Sequence, residues 1–159
     1  MGLFRSSKKS SRENTVQDCE RMVERFLKKV KLNPKEQRLS QGEGLGWWIS
    51  RGSAVIYIYL NENGHSPTIR IIAPILYLPD DHILPFYRRC LELNTELINC
   101  AVGVVDDKVA LVNERPIAGL DQAELESVLH YLSGVADEID DKLAEEFGAR
   151  LYANAYRGA

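Results

Sequence analysis

Residues 45–60 decide the fold, and they read LGWWISRGSAVIYIYL. Two runs rich in aromatic and β-branched residues flank the pair Gly52–Ser53, a pattern typical of two strands joined by a tight turn. The stretch therefore predicts a β-hairpin. Because side chains alternate between the two faces of a strand, the second run divides into two apolar sets. These are Ile56, Ile58 and Leu60 on one face and Val55, Tyr57 and Tyr59 on the other.

The residues before the hairpin predict a helix, and those after it a third strand. From Asn14 to about Leu32, apolar residues recur at helical spacing, and Asn14 with Gln17 resembles a capping box. A polar loop with Gly42, Gly44 and Gly46 follows; it has no preceding strand and no Lys-Ser/Thr pair, so it does not match a nucleotide-binding loop. Thr68 to Tyr77 completes an antiparallel meander, and Pro74 predicts that its later half lies at an edge or bends.

The second half of the chain predicts another helix, a hairpin and a long helix. A helical run from Ile83 closes at Asn94, and strands 97–105 and 108–113 are joined by Asp106–Asp107. Asp121 with Glu124 predicts the cap of the last helix, which carries a long apolar stripe and stops at Gly148. We therefore expect an α+β fold with an antiparallel sheet of about five strands, in the order α-β-β-β-α-β-β-α.

Charge divides the chain into a basic start and an acidic body. The 159 residues carry a net charge of −3, but the first twelve hold four bases and no acid, which leaves 16 bases against 23 acids elsewhere. We expect residues 1–12 to form a disordered basic tail, 13–150 a single domain and 151–159 a C-terminal tail. An acidic body repels the phosphate backbone, so nucleic acid is an unfavourable partner. Only the tail could bind an anion, through Arg5, Lys8, Lys9 and Arg12.

No stretch has the length and hydropathy of a membrane span or a secretory signal, which indicates a cytoplasmic protein. Cys19, Cys90 and Cys100 are odd in number and lack CxxC spacing, so we expect reduced structural thiols rather than disulfides or a metal site. No cofactor is expected.

One short cluster offers reactive groups. Asp80, Asp81 and His82 precede the second helix and could form an acid/base or metal site. Helix capping by Asp80 explains the same residues, with Asp81 complementing the helix dipole. The last helix also carries an acidic face, which is either solvated or a docking surface for a basic segment such as the chain's own tail. It consists of Asp137, Glu138, Asp141 and Glu145.

Several stretches together resemble the YbjN family, whose fold is like that of type III secretion chaperones. They are Trp48 before the second strand, AVIYIYL, the Asn94 of LELN, the hairpin CAVGVVDDKVALVNERP, and LESVLHYLSGVADEIDDKLAEEFG. The resemblance spans about residues 14–148. It implies a bacterial, dimeric, chaperone-like or regulatory protein that holds an extended partner segment against apolar patches, and it supplies no catalytic residues.

Three hypotheses about function follow. The first is a non-enzymatic homodimer that binds a partner protein through a sheet edge or an aromatic sheet face, lined by Trp47, Trp48, Tyr57 and Tyr59; the first helix or a second subunit could instead cover that face. The second is an anion-tethered regulator that uses the basic tail. The third is a metal-dependent enzyme at Asp80, Asp81 and His82.

Overall fold

The structure, a computed structural model, describes residues 14–40, 44–62 and 66–152. These residues form three helices and five strands. In chain order they are α1 Val16–Lys29, β1 Leu45–Arg51, β2 Ala54–Asn61, β3 Thr68–Tyr77, α2 Ile83–Leu93, β4 Ala101–Val105, β5 Lys108–Pro116 and α3 Gln122–Phe147. This order confirms the expected α+β fold.

The five strands form one antiparallel sheet in the order β1-β2-β3-β5-β4. β1, β2 and β3 form the expected meander, and the β4–β5 hairpin joins it through β5. Pro74 produces the bend that the sequence predicted, because the β3–β5 register shifts between Pro74 and Leu76. The paired part of β2 ends at Tyr57 opposite Ile72, so the later half of β3 extends beyond it.

Helices α1 and α3 pack on one face of this sheet, here called the helix face. Its strand residues are almost completely buried and include Trp47, Ile56, Ile58, Leu60, Ile69, Ile71 and Leu111. The helices contribute matching apolar stripes, with Val23, Phe26 and Leu27 from α1 and Leu125, Leu129, Leu132, Ala136 and Leu143 from α3. The hydrophobic core therefore lies between the helix face and these two helices.

The start of α1 differs by one residue from the prediction. Thr15, not Asn14, is the N-cap, and it forms a reciprocal capping box with Asp18. The hydrogen bonds from Thr15 hold the pKa of Asp18 at about 2. Asn14 instead donates from Nδ2 to the carbonyl oxygens of Ile117 and Leu120, at 2.9 and 2.6 Å. The prediction failed because both residues are good caps and a distant loop uses the first.

The start of α2 also differs, whereas α3 begins and ends as expected. Asp80 does not cap α2: the N-cap is His82, in a left-handed conformation and without a side-chain capping bond. The Asp121 side chain accepts a hydrogen bond from the Glu124 backbone N–H, and Gly148 ends α3 at φ 64°.

β4 begins four residues later than predicted because Asn94 reorganises the chain before it. The Asn94 side chain accepts from Val102 N–H at 2.6 Å and donates to Val102 O at 3.2 Å. Asn99 between them has a positive φ of 54°, which an extended strand does not permit. Asn94 therefore closes α2, as expected, and also fixes the outer edge of β4.

Within the described ranges, none of the helices combines the length and the apolar character that a bilayer span requires.

Candidate functional site

The sheet face opposite α1 and α3 carries a continuous apolar row. The register places Trp48 opposite Tyr57, Tyr57 opposite Ile72, and Ile72 opposite Val112. Directly opposed residues point to the same face, so these four side chains form one row across β1, β2, β3 and β5. All four are half-buried, as is Tyr59, whose ring stacks on Tyr57 with 6.4 Å between centroids. We call this surface the aromatic face; its five residues are Trp48, Tyr57, Tyr59, Ile72 and Val112.

Trp47 does not belong to this surface, which corrects the prediction that it lines it. Its side chain is fully buried on the helix face, with the Arg38 guanidinium carbon 4.7 Å from its ring centroid. Among the described residues its indole Nε1 has no hydrogen-bond partner. The sequence could not separate the two tryptophans, because both fit a strand and only the helices decide which one is covered.

An ion pair lies beside Tyr59, at one edge of the aromatic face. Arg70 lies opposite Tyr59 on β3, and Glu114 lies opposite Arg70 on β5. The Arg70 Nε and the Glu114 carboxylate are 3.7 Å apart. Burial raises the pKa of Tyr59, so its hydroxyl stays protonated at neutral pH and is available as a hydrogen-bond donor. The aromatic face therefore combines aromatic rings with polar groups at its edge, which are the Tyr59 hydroxyl and the Arg70–Glu114 ion pair.

The chain after α3 returns to the aromatic face. Tyr77 N–H donates to Arg150 O at 2.9 Å, and Leu151 pairs with Leu76 in an antiparallel bridge. The Tyr152 hydroxyl then lies 3.0 Å from the Tyr57 hydroxyl. Sequence reasoning assigned residues 151–159 to a tail and missed this contact. The signal that could have found it is a tyrosine placed four residues after the helix stop at Gly148.

A second apolar surface lies at the β4 edge. α2 exposes Leu84, Tyr87 and Leu91, of which Leu84 is 76% and Leu91 67% exposed. Tyr87 and Leu91 line a cavity of about 320 Å³ together with Val102 and Val104 of β4. Three exposed apolar side chains at helical spacing beside a sheet edge are unusual for a solvated helix. We call these residues, Leu84, Tyr87, Leu91 and Val104, the α2–β4 patch.

The chain itself already pairs the outward main-chain groups at the middle of both edge strands. On β1, Trp48 N–H donates to Gln37 O and Gly46 O accepts from Leu39 N–H, both at 2.9 Å. On β4, the Asn94 side chain satisfies Val102. A partner strand could not add along either edge without displacing these bonds.

The three residues of the candidate reactive cluster are exposed to solvent. Asp80, Asp81 and His82 are all exposed, and none of them lines any of five cavities found among the described residues. No group of three potential metal ligands occurs within residues 14–40, 44–62 and 66–152. The three cysteines are free, and burial raises the pKa of the Cys90 thiol to about 11.

The acidic face of α3 is exposed, but one acid on this helix is buried. Asp140 is 3% exposed, and burial raises its pKa. Ser53, in the β1–β2 turn, lies 2.7 Å from Asp137 and 3.2 Å from Asp140, which fastens the hairpin to α3. No sequence pattern indicated this contact. The basic residues that could dock on the acidic face, Arg5, Lys8, Lys9 and Arg12, lie outside the described residues.

Two solved structures share this architecture. A chain in the ExsC–ExsE complex superposes with a TM-score of 0.63 at 16% identity, over 82% of this chain and 96% of that one. YbjN from E. coli superposes with a TM-score of 0.50 at 10% identity, over 83% of this chain and 95% of that one. At such identities the likeness shows the fold alone. A search of curated protein sequences found no significant match.

A family model assigns the chain. The model for "T3SS (YopN, CesT) and YbjN peptide-binding chaperone 1" matches residues 17–155, which is most of the sequence. The chain therefore belongs to this family of peptide-binding chaperones, and the YbjN resemblance is confirmed. Peptide binding is a non-enzymatic role, which agrees with the expectation that this chain is not an enzyme.

Proposed function

We propose that this peptide-binding chaperone family member holds an extended segment of a partner protein on the aromatic face, as a chaperone-like or regulatory module. The observation that carries the proposal is the row Trp48–Tyr57–Ile72–Val112, in which every side chain is apolar or aromatic and lies opposite α1 and α3. Aromatic rings offer a large contact area at low cost in side-chain entropy. The row runs across four strands, which suits an extended segment with apolar residues at alternate positions.

Binding by strand addition at an edge is less favourable. The bonds from Gln37 and Leu39 to β1, and from Asn94 to β4, already occupy some of the groups that a new strand would need. Breaking them would offset the hydrogen bonds gained. The face, rather than an edge, is therefore our proposed site.

The partner on this face is proposed to be a protein. One of the structures similar to this chain is itself a complex, that of ExsC with ExsE, so the fold is compatible with a bound partner. The body of this chain is acidic, which disfavours nucleic acid. A cytoplasmic, bacterial setting is part of this proposal.

We further propose that the chain forms a homodimer through the α2–β4 patch. Leu84, Tyr87 and Leu91 follow one stripe of α2, and a two-fold axis beside this helix would bury the stripe against its copy. Leu91→Asp is then expected to convert the dimer to a monomer in sedimentation equilibrium, whereas Trp48→Asp leaves it dimeric. A wild-type monomer, or a Leu91→Asp dimer, would contradict this assignment.

The proposed site is tested with a random-peptide phage library selected on the wild-type chain. We expect enriched peptides with aromatic or aliphatic residues at alternate positions. Their binding should be lost in the double variant Trp48→Asp, Tyr57→Asp and retained in Leu91→Asp, which introduces a charge on the α2–β4 patch. Circular dichroism confirms that each variant is folded. Peptides that bind the double variant as tightly as wild type would place the site elsewhere.

A further inference from the structure

The segment that follows α3 already covers part of the aromatic face. We call residues 150–159 the trailing segment, of which Arg150, Leu151 and Tyr152 are described. The Arg150 guanidinium carbon lies 3.9 Å from the Tyr77 ring centroid, and the Tyr152 ring lies 5.9 Å from the same ring. With the Tyr57–Tyr152 hydroxyl contact at 3.0 Å, these interactions place the side chains of Arg150 and Tyr152 against tyrosines on this side of the sheet.

The burial of small side chains on this face points the same way. Val55 and Ala110 are 5% and 1% exposed, although α1 and α3 lie on the opposite face. Val55 is two residues from Tyr57 on β2, and Ala110 is two residues from Val112 on β5, so both lie on the same side of the sheet as the aromatic face, next to it. Their burial agrees with side chains lying over this end of the sheet, where the tilted rings of Tyr77 and Tyr152 are in contact.

The rest of the trailing segment has the length and composition to continue toward Trp48. Its sequence from Tyr152 is YANAYRGA, which places a second tyrosine, Tyr156, four residues after the first. β1 is one strand away from β2, roughly 5 Å, and four residues span up to about 13 Å when extended. The segment contains two arginines and no acid, which favours its contact with an acidic domain.

We propose that the trailing segment is an intramolecular occupant of the aromatic face, with Tyr152 held on Tyr57 and Tyr156 on Trp48. This inference rests on the proposed function, because the segment regulates that same site. A partner binds this face only if it displaces the two tyrosines, so the segment lowers the apparent affinity of every ligand that binds there. An occupant that raises the apparent Kd about tenfold needs an advantage of only about 1.4 kcal/mol.

Acrylamide quenching of tryptophan fluorescence in the full chain tests the occupancy without a partner. The chain has two tryptophans, and Trp47 is fully buried, so quenching reports on Trp48. We expect Tyr156→Ala, and more strongly Tyr152→Ala with Tyr156→Ala, to steepen the quenching slope and shift the emission to the red. Tyr87→Ala, which removes an aromatic ring from the α2–β4 patch, should leave both unchanged. Unchanged quenching in folded Tyr156→Ala and in the double variant would overturn the proposal.

A second measurement separates this proposal from the proposed function. A fluorescein-labelled peptide enriched on the wild-type chain is titrated with the wild type and with the double tyrosine variant, and we expect about tenfold tighter binding to the variant. Equal affinity, with unchanged quenching, would overturn the occupancy and leave the binding site intact. Altered quenching without any enriched peptide would leave the occupancy standing and refute the proposed function.

Discussion

Trp47 and Trp48 are neighbours in the sequence and belong to two different surfaces. The helix face around Trp47 is covered by the apolar stripes of α1 and α3, and its residues are almost completely buried. The aromatic face around Trp48 carries residues just as apolar, yet they are only half-buried, and the described chain that reaches them is the short stretch ending at Tyr152. Composition alone does not distinguish a core from a binding surface; what packs against it does.

The two faces also differ in the segments that cover them. The helix face is covered by two helices of 14 and 26 residues, whose removal would unfold the domain. The aromatic face is met by ring contacts and one hydroxyl pair from a segment beyond the last helix. Segments held by few buried contacts open at low free-energy cost, which is what the proposed exchange of this cover for a partner requires.

The largest effect should separate the two tryptophans. Trp47→Ala removes a fully buried indole and is expected to lower the free energy of unfolding by about 3–5 kcal/mol, whereas Trp48→Ala should cost about 1 kcal/mol or less. Trp47→Phe, which keeps a ring and loses an N–H without a partner among the described residues, is the matched control and should cost less than Trp47→Ala. Urea denaturation measures all three, and equal costs for the two alanine variants would abolish the distinction between the faces.

A smaller effect on stability should come from the buried carboxyl group of Asp140 on α3. Ser53 has one hydroxyl proton for two carboxylates, so a protonated Asp140, which donates back to Ser53 Oγ, completes the network better than an ionised one. The folded-state pKa of Asp140 is raised by burial above its ordinary value of 3.8. Its contribution to stability is therefore full below about pH 4 and is lost as pH rises through the folded pKa.

Asp140→Asn imitates the protonated state, because its Nδ2 donates to Ser53 and its Oδ1 still accepts from Asp141 N–H. We expect the variant to be more stable than wild type at pH 7 and equally stable at pH 3, measured as the urea midpoint at each pH. Asp141→Asn is the exposed neighbouring control and should change the midpoint little. A lower midpoint for Asp140→Asn at pH 7 would show that the ionised carboxylate is stabilising.

The smallest effect belongs to the aromatic face. Tyr57→Phe removes the hydroxyl contact with Tyr152 and keeps the ring, so it should lower the free energy of unfolding by about 0.5 kcal/mol or less, since the bond is partly solvated. Hydrogen exchange should nevertheless become faster at Tyr77 N–H, which donates to Arg150 O in the same segment. Unchanged exchange at Tyr77 would mean that the hydroxyl pair does not hold the trailing segment.

Local patterns predicted the sheet, the three helices and the apolar set that includes Trp48, Tyr57 and Tyr59. Strand alternation and the stripe of α3 depend on neighbouring residues and are visible in the sequence. The errors arose from hydrogen bonds that no local pattern indicates: Asn14 donates to the carbonyl oxygens of Ile117 and Leu120, and the Asn94 side chain bonds to Val102, so that β4 begins at Ala101 rather than at residue 97. Tyr152 was missed for the same reason, because its partner Tyr57 is 95 residues away.

The most direct test of the aromatic face as the binding site is NMR chemical-shift mapping of the full chain titrated with a peptide enriched on it. The account predicts that the largest amide shifts fall on Trp48, Tyr57, Tyr59 and Ile72, with a second set at Tyr77 and Tyr152 as the trailing segment leaves. Shifts confined to α2 and β4 would contradict it.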